Sequence, residues 1–245
     1  TVTVEVPQTM KVIDFGSESE YWGANLSIWV NITDRSTGSP IVDANAYARI
    51  LKNGQQYRNI TLNRVGTTGT YIGYTVIDGN ISVTDYEVNV TIIRPSIETT
   101  NFVFSLQVLT VPTNSFPNVT ALTVGYYQNV SIKVTYQRTD PNRAQDGVTN
   151  ANVTYVVYDL VNTSHVYPAS GFIQAVEMGS GEYLVLFNTS ALGIEGNYKI
   201  EIRVERQFHQ NKTVTVLLKV TPRGSKTVPL SAEINVIYSK IAYIY

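Results

Sequence analysis

NLSIWV at residues 25–30 returns as NVSIKV at 129–134. Leu26, Ile28 and Val30 in the first stretch, and Val130, Ile132 and Val134 in the second, fall on every other residue. That is the period of a strand with one buried face, and it assigns Ile28, Val30, Ile132 and Val134 to two equivalent cores. The likeness extends along the chain. DANAY at 43–47 returns as NANVTY at 150–155, Gly69-Thr-Tyr71 as Gly181-Glu-Tyr183, Tyr86 as Tyr198, and residues 101–112 as 211–222. The offset drifts only from 104 to 112, as expected where strands are kept and loops vary. Self-similarity at a fixed period marks a repeat, here two copies of a unit of roughly a hundred residues.

Further alternating segments, YEVNVTII at 86–93 and YKIEIRVE at 198–205, are separated by turn-rich clusters such as STGSP at 36–40 and DPNRAQDG at 140–147. This pattern predicts antiparallel sheets with one wet face each. About seven short strands per unit is the count of an immunoglobulin-like sandwich. The expected fold is therefore all-β, with tandem immunoglobulin-like antiparallel β-sandwiches at 1–112 and 113–222. Residues 223–245 are assigned to terminal strands, either the start of a third unit or a donor strand. The G-x-Y elements predict a tight turn releasing a strand whose Tyr is half-buried with its hydroxyl at the rim.

Composition narrows the function classes. Seventeen Tyr, abundant Thr and Val, and the absence of any convincing helical period favour pleated surfaces. A net charge of −1 over 245 residues leaves no electrostatic footprint for nucleic acid or an acidic membrane surface. With no Cys there is no disulfide, thiolate metal site or cysteine nucleophile. No apolar stretch approaches the roughly 20 residues that span a bilayer, and no basic-then-apolar leader opens the chain. The sequence reads as a mature form or as a section of something longer.

Groups with chemistry are few. His165 in VNTSHVYP and His209 in RQFHQNKT have no companions at metal-ligand or triad spacing, and both read as solvated loop imidazoles. Gly66 to Thr70 reads as a hairpin turn, because no helix follows to receive a phosphate. Asp140 with Asp146, and Asp34 with Asp43 in the first copy, could hold calcium through oxygen ligands in a loop, although Asp is also simply a good turn former. Lys133 lies near several Asn, but Trp29 holds its place in the first copy, which argues against a Lys–Asn crosslink. No catalytic residue, metal site or cofactor is assigned.

Asn-x-Ser/Thr occurs at Asn25, Asn31, Asn59, Asn80, Asn89, Asn118, Asn129, Asn152, Asn162, Asn188 and Asn211. Composition alone would give about four such sites, so the excess needs a cause. An alternating strand with an outward polar face supplies part of it, and it also sets Asn and the hydroxyl residue on the same exposed face. N-linked glycans at several of these sites, and hence export, are the expectation.

The two ends of the chain are alike in character. IAYIY, residues 241–245, aligns with Ile132 to Tyr136 but replaces the polar Lys133 and Thr135 by Ala242 and Ile244, so it is apolar on both faces. TVTVEVP at 1–7 resembles the unit-ending runs QVLTVP at 107–112 and LLKVTP at 217–222, and is assigned to a strand of a preceding or neighbouring unit. Val2, Val4 and Val6, with Ile241, Ala242, Tyr243, Ile244 and Tyr245, are therefore the candidate subunit-interface residues, joining chains by strand addition.

The openings NVSIKVTY and NANVTY, the sequon density and the missing Cys resemble the tandem immunoglobulin-like repeats of archaeal cell-surface glycoproteins, the subunits of surface layers and extracellular filaments. The resemblance implies an extracellular, cell-surface structural or adhesive role without catalysis; the terminal strands add copies of itself as partners in a polymer, joined by donor strand complementation. Two alternatives stand beside it: an adhesin or carbohydrate-binding module, for which Trp22 and Trp29 are the candidate sugar platforms, and the stalk domains of a larger surface protein.

Overall fold

The structure, a computed structural model, describes residues 10–16, 18–95, 98–141, 143 and 145–224 of the 245. Among these the chain forms eighteen strands and one short 3-10 turn at Thr189–Leu192. The first copy contributes β1 (Met10–Gly16), β2 (Ser19–Tyr21), β3 (Asn25–Asp34), β4 (Asn45–Lys52), β5 (Gln55–Val65), β6 (Thr70–Val76), β7 (Asp85–Arg94) and β8 (Glu98–Leu109). The second contributes β9 (Thr113–Pro117), β10 (Ala121–Gly125), β11 (Asn129–Arg138), β12 (Asn152–Asp159), β13 (Val166–Tyr167), β14 (Ile173–Gln174), β15 (Val176–Gly179), β16 (Glu182–Asn188), β17 (Gly196–Glu205) and β18 (Lys212–Thr221).

Each copy is a two-sheet sandwich. In the first, β1-β3-β6 faces β4-β7-β8-β2, and β5 belongs to both: its residues 55–62 pair with β4 and its residues 63–65 with β6. In the second, β15-β16-β11-β9 faces β10-β18-β17-β12-β13. The opening strand is split in the same way in both copies. Its first half runs antiparallel to the next strand, β1 on β3 and β9 on β11, and its second half crosses to run parallel to the last strand, β2 on β8 and β10 on β18. These are tandem immunoglobulin-like sandwiches.

Alternation explains the cores. Leu26, Ile28, Val30 and Ile32 on β3, and Val130, Ile132, Val134 and Tyr136 on β11, are fully buried at 0 % exposure, while the residues between them face outward. Each such aliphatic side chain withdrawn from water stabilises its sandwich by about 1.5–3 kcal/mol. The two cores are separate clusters, one spanning Met10 to Val108 and the other Val130 to Val220.

The G-x-Y elements differ from expectation. Tyr71 and Tyr183 are each 1 % exposed, not half-buried. The Tyr71 hydroxyl donates to Ile41 O (3.2 Å) and accepts from Ala44 N (3.1 Å); that of Tyr183 donates to Val148 O (2.7 Å) and accepts from Ala151 N (2.9 Å). A buried hydroxyl needs such partners, and the loop entering β4 or β12 supplies both. Gly69 and Gly181, both at φ +75, bring the turn so close that a Cβ would lie 2.3 Å from Ile32 O or 2.4 Å from Tyr136 O. Only glycine fits there. A second pair repeats: Tyr86 OH accepts from Ser82 N, and Tyr198 OH donates to Ile194 O, each four residues upstream at 2.8 Å. This is the tyrosine corner characteristic of immunoglobulin-like sandwiches.

Candidate functional site

A cluster of aromatic and charged side chains outside the cores lies where the two sandwiches meet. The chain leaves β8 and enters β9 through Val111, which is fully buried. Val111 N donates to Phe208 O (2.9 Å) and Gln210 N donates to Val111 O (3.0 Å), so the connection is hydrogen-bonded into the turn between β17 and β18. Gln210 O in turn accepts from the hydroxyls of Thr113 (2.7 Å) and Tyr136 (2.9 Å). Phe208 sits at φ +63, which aims its ring back at the first sandwich. There it packs on Trp22 with ring centroids 4.9 Å apart, and His209 meets the same indole edge-on at 6.1 Å. The Trp22 Nε1–H donates to Ile81 O (2.9 Å), fixing the ring.

Charge is buried beside the aromatics. Arg138 Nε donates to Asp140 Oδ2 at 2.6 Å, with Arg138 8 % and Asp140 1 % exposed. Asp140 Oδ1 and Arg138 Nη2 are buried without a hydrogen-bond partner. Asp140 thus lies buried in the turn that follows β11 rather than at the surface. His209 also departs from the sequence reading: burial, followed by the nearby Arg138 and Arg206, holds its imidazole below the ordinary pKa against an opposing hydrogen bond to Gln207 O. His165, by contrast, is solvated, 3.8 Å from Asp159.

In the first copy the corresponding loop has no such burial. Asp34 Oδ1 accepts from the side chain and backbone N–H of Ser36 and from Thr37, and these hydrogen bonds, led by the Ser36 hydroxyl, lower its pKa to about 2. Arg94 pairs with Asp43 (3.1 Å) and lies 3.9 Å from Asp34. Lys133 Nζ pairs with Glu182 (2.7 Å), while Asn118 Oδ1 accepts from the Lys133 backbone N–H (2.9 Å). Among the described residues no three His, Asp or Glu side chains gather as a metal site would need, and no helix is long and apolar enough to cross a membrane.

Both Trp side chains are half-buried and in contact with neighbours. Trp22 is covered by Phe208 and His209, and the Trp29 indole lies so close over Gly16 that a Cβ there would meet Nε1 at 1.8 Å. The sequons divide by burial. Asn25, Asn59, Asn80, Asn118, Asn129, Asn152, Asn162 and Asn211 are exposed. Asn31, Asn89 and Asn188 are half-buried. Asn188 also commits its Nδ2, the atom a glycan would occupy, to Asn129 Oδ1 (2.9 Å) and Tyr127 O (3.3 Å). Val2, Val4, Val6 and Ile241 to Tyr245 lie outside the described residues.

No family model and no curated protein matches this chain. Solved structures do resemble it. The fibronectin(III)-like modules of Clostridium thermocellum CbhA are 14% identical at a TM-score of 0.33, covering 93% of this chain and 100% of theirs. The tetra-tandem repeat in the extending region of a large adhesion protein is 12% identical (TM-score 0.43; 86% of this chain, 48% of that one). The insect immune protein hemolin is 13% identical (TM-score 0.35; 86% and 47%). This chain spans about half the length of the last two. The fold assignment itself rests on the sheet order, the split opening strand and the paired tyrosine corners.

The joint could not be read from alternation. Phe208 and His209 lie in a turn, and their partner Trp22 is about three quarters of the chain away. The one available signal is an aromatic next to a His in an otherwise polar turn, RQFHQN, where solvent exposure would make Phe208 costly.

Proposed function

We propose that this chain is a non-catalytic, extracellular structural subunit of a cell-surface assembly, a filament or surface layer, decorated with N-linked glycans. Subunits join head to tail by β-strand addition from the terminal segments 1–7 and 241–245. The supporting observation is the joint. Sandwiches on an ordinary linker move relative to one another. Here backbone hydrogen bonds hold the linker at Val111 to the β17–β18 turn of the second sandwich, and Trp22 of the first sandwich stacks on Phe208 of that same turn. A stiff two-sandwich rod is what a filament or lattice needs from its repeating element. The unbroken apolar run 241–245 would, as an added strand, give such units a means to join a neighbour's sheet edge.

Negative-stain microscopy of the purified protein tests the reading, with the variant lacking residues 232–245 as the comparison. The parent is expected to form polymers or arrays and the truncated chain to remain dispersed. Equal polymerisation of the two would remove strand donation from the C-terminal end.

A further inference from the structure

The half-joint that the first sandwich presents to the second recurs at the far end of the second. Trp22 Nε1 donates to Ile81 O at 2.9 Å; Tyr126 OH donates to Gly193 O at 2.9 Å. The two pairs stand at the repeat offsets of 104 and 112 residues. In the joint this ring receives Phe208 and His209. At the far pole Tyr127, next to Tyr126, is 59 % exposed, and Ile194, next to Gly193, is 54 % exposed. Tyr126 and Tyr127 pack edge to face at 4.5 Å and, with Thr221 and Arg223, line a groove of about 530 Å³.

The opposite pole, on the first sandwich, shares one element with the half-joint of the second. Arg94 holds the place of Arg206: Arg94 binds Asp43, and Arg206 binds the backbone O of Asn150, Asp43's counterpart. Asp34 holds the place of Arg138. A size exchange links the two poles. In the joint a small residue, Gly23, lies 3.5 Å (from an ideal Cβ) from the long Arg138. At the poles the long residue is on the other side, Tyr127 in place of Gly23 and Asp34 in place of Arg138.

We propose that the pole built on Tyr126, Tyr127 and Ile194 docks the Asp34–Asp43–Arg94 pole of a second copy of this chain, repeating the internal joint between subunits. The Tyr127 hydroxyl donates to the Asp34 carboxylate, the pairing that the size exchange leaves room for, and Ile194 is covered in the contact. A heterologous contact of this kind extends a row wherever its rotation does not close a ring. The inference rests on the head-to-tail reading and names its partner surface.

One position tests it with a sign. Tyr127→Asp sets a carboxylate against Asp34, and Tyr127→Arg sets a cation there; the side chain is exposed, so melting temperatures serve only to verify that both variants fold. Self-association is measured by sedimentation velocity on the full chain. Tyr127→Asp is expected to weaken association about tenfold or more, with Tyr127→Arg associating at least as well as the parent. Ile194→Glu should also weaken it. If all three variants associate like the parent, the polar contact is overturned while head-to-tail assembly stands. Equal loss in Tyr127→Asp and Tyr127→Arg removes Asp34 as the partner and the proposal with it. A parent chain that stays monomeric at every concentration overturns the proposal and the head-to-tail reading together.

Discussion

Arg138 Nε and Asp140 Oδ2 meet at 2.6 Å inside the joint, and each side chain there leaves one polar atom without a hydrogen bond. Such a pair is costly to split. Arg138→Ala leaves Asp140 buried and uncompensated, and is expected to destabilise by about 3–5 kcal/mol. Replacing both residues with apolar ones of similar volume should cost much less. Urea unfolding of the two variants checks the difference; equal losses would mean that the pair is wetter than its burial indicates.

Gly181 is expected to be intolerant and Gly54 tolerant, although both have φ near +75 (75 and 78). A Cβ on Gly181 would meet backbone on two sides, Tyr136 O at 2.4 Å and Gly147 Cα at 2.6 Å, whereas Gly54 has nothing within 4 Å. Gly54→Ala should cost about 1–2 kcal/mol from the left-handed backbone alone. Gly181→Ala should exceed that by a further kcal/mol or more, since backbone must move. Thermal melts of the two single variants give the comparison.

Two groups set two pH windows. His209 has a lowered pKa when folded, so the unfolded chain binds its proton more readily and stability falls as pH drops below about 6.5. Asp34, lowered from 3.8 to about 2, contributes stability that is present above pH 3.8 and disappears as pH falls through 2. Melting temperatures from pH 8 to 5 should decline in the parent and decline less in His209→Gln. The loss between pH 4 and 2 should be reduced in Asp34→Asn, which lacks the titrating carboxyl.

Glycan occupancy should follow burial. Glycopeptide mass spectrometry of protein from its native cells is expected to find modification among the eight exposed sequons and none at Asn188, whose Nδ2 is already engaged twice. Asn31 and Asn89, half-buried, should be bare or sparsely occupied. A glycan on Asn188 would require the β16 end to open, and eleven unmodified sites would remove the argument for an exported glycoprotein.

Much of the sandwich was legible because strand period is local: Leu26, Ile28 and Val30 announce their own burial, and their recurrence at 130–134 makes the repeat visible. The hydroxyl of Tyr183 was less legible. Alternation puts the ring inward, but its partners Val148 and Ala151 are supplied by a loop more than thirty residues upstream, a relation with no period. The joint was illegible for the same reason at a larger scale. Neither Trp22 nor His209 announces the other in the sequence, and only the path of the chain through Val111 brings them together.

The parallel pairing of β10 with β18, five residues from Ala121↔Leu217 to Gly125↔Thr221, has a mechanical meaning. Tension on a row of these sandwiches pulls the opening strand toward one end and the closing strand toward the other. Parallel neighbours pulled in this way slide along their length, so the bonds between them share the force and must fail together. Strands tugged from a common end would unzip one bond at a time. The same arrangement, β2 on β8, secures the first sandwich. Each unit is therefore clasped against tension applied along the chain.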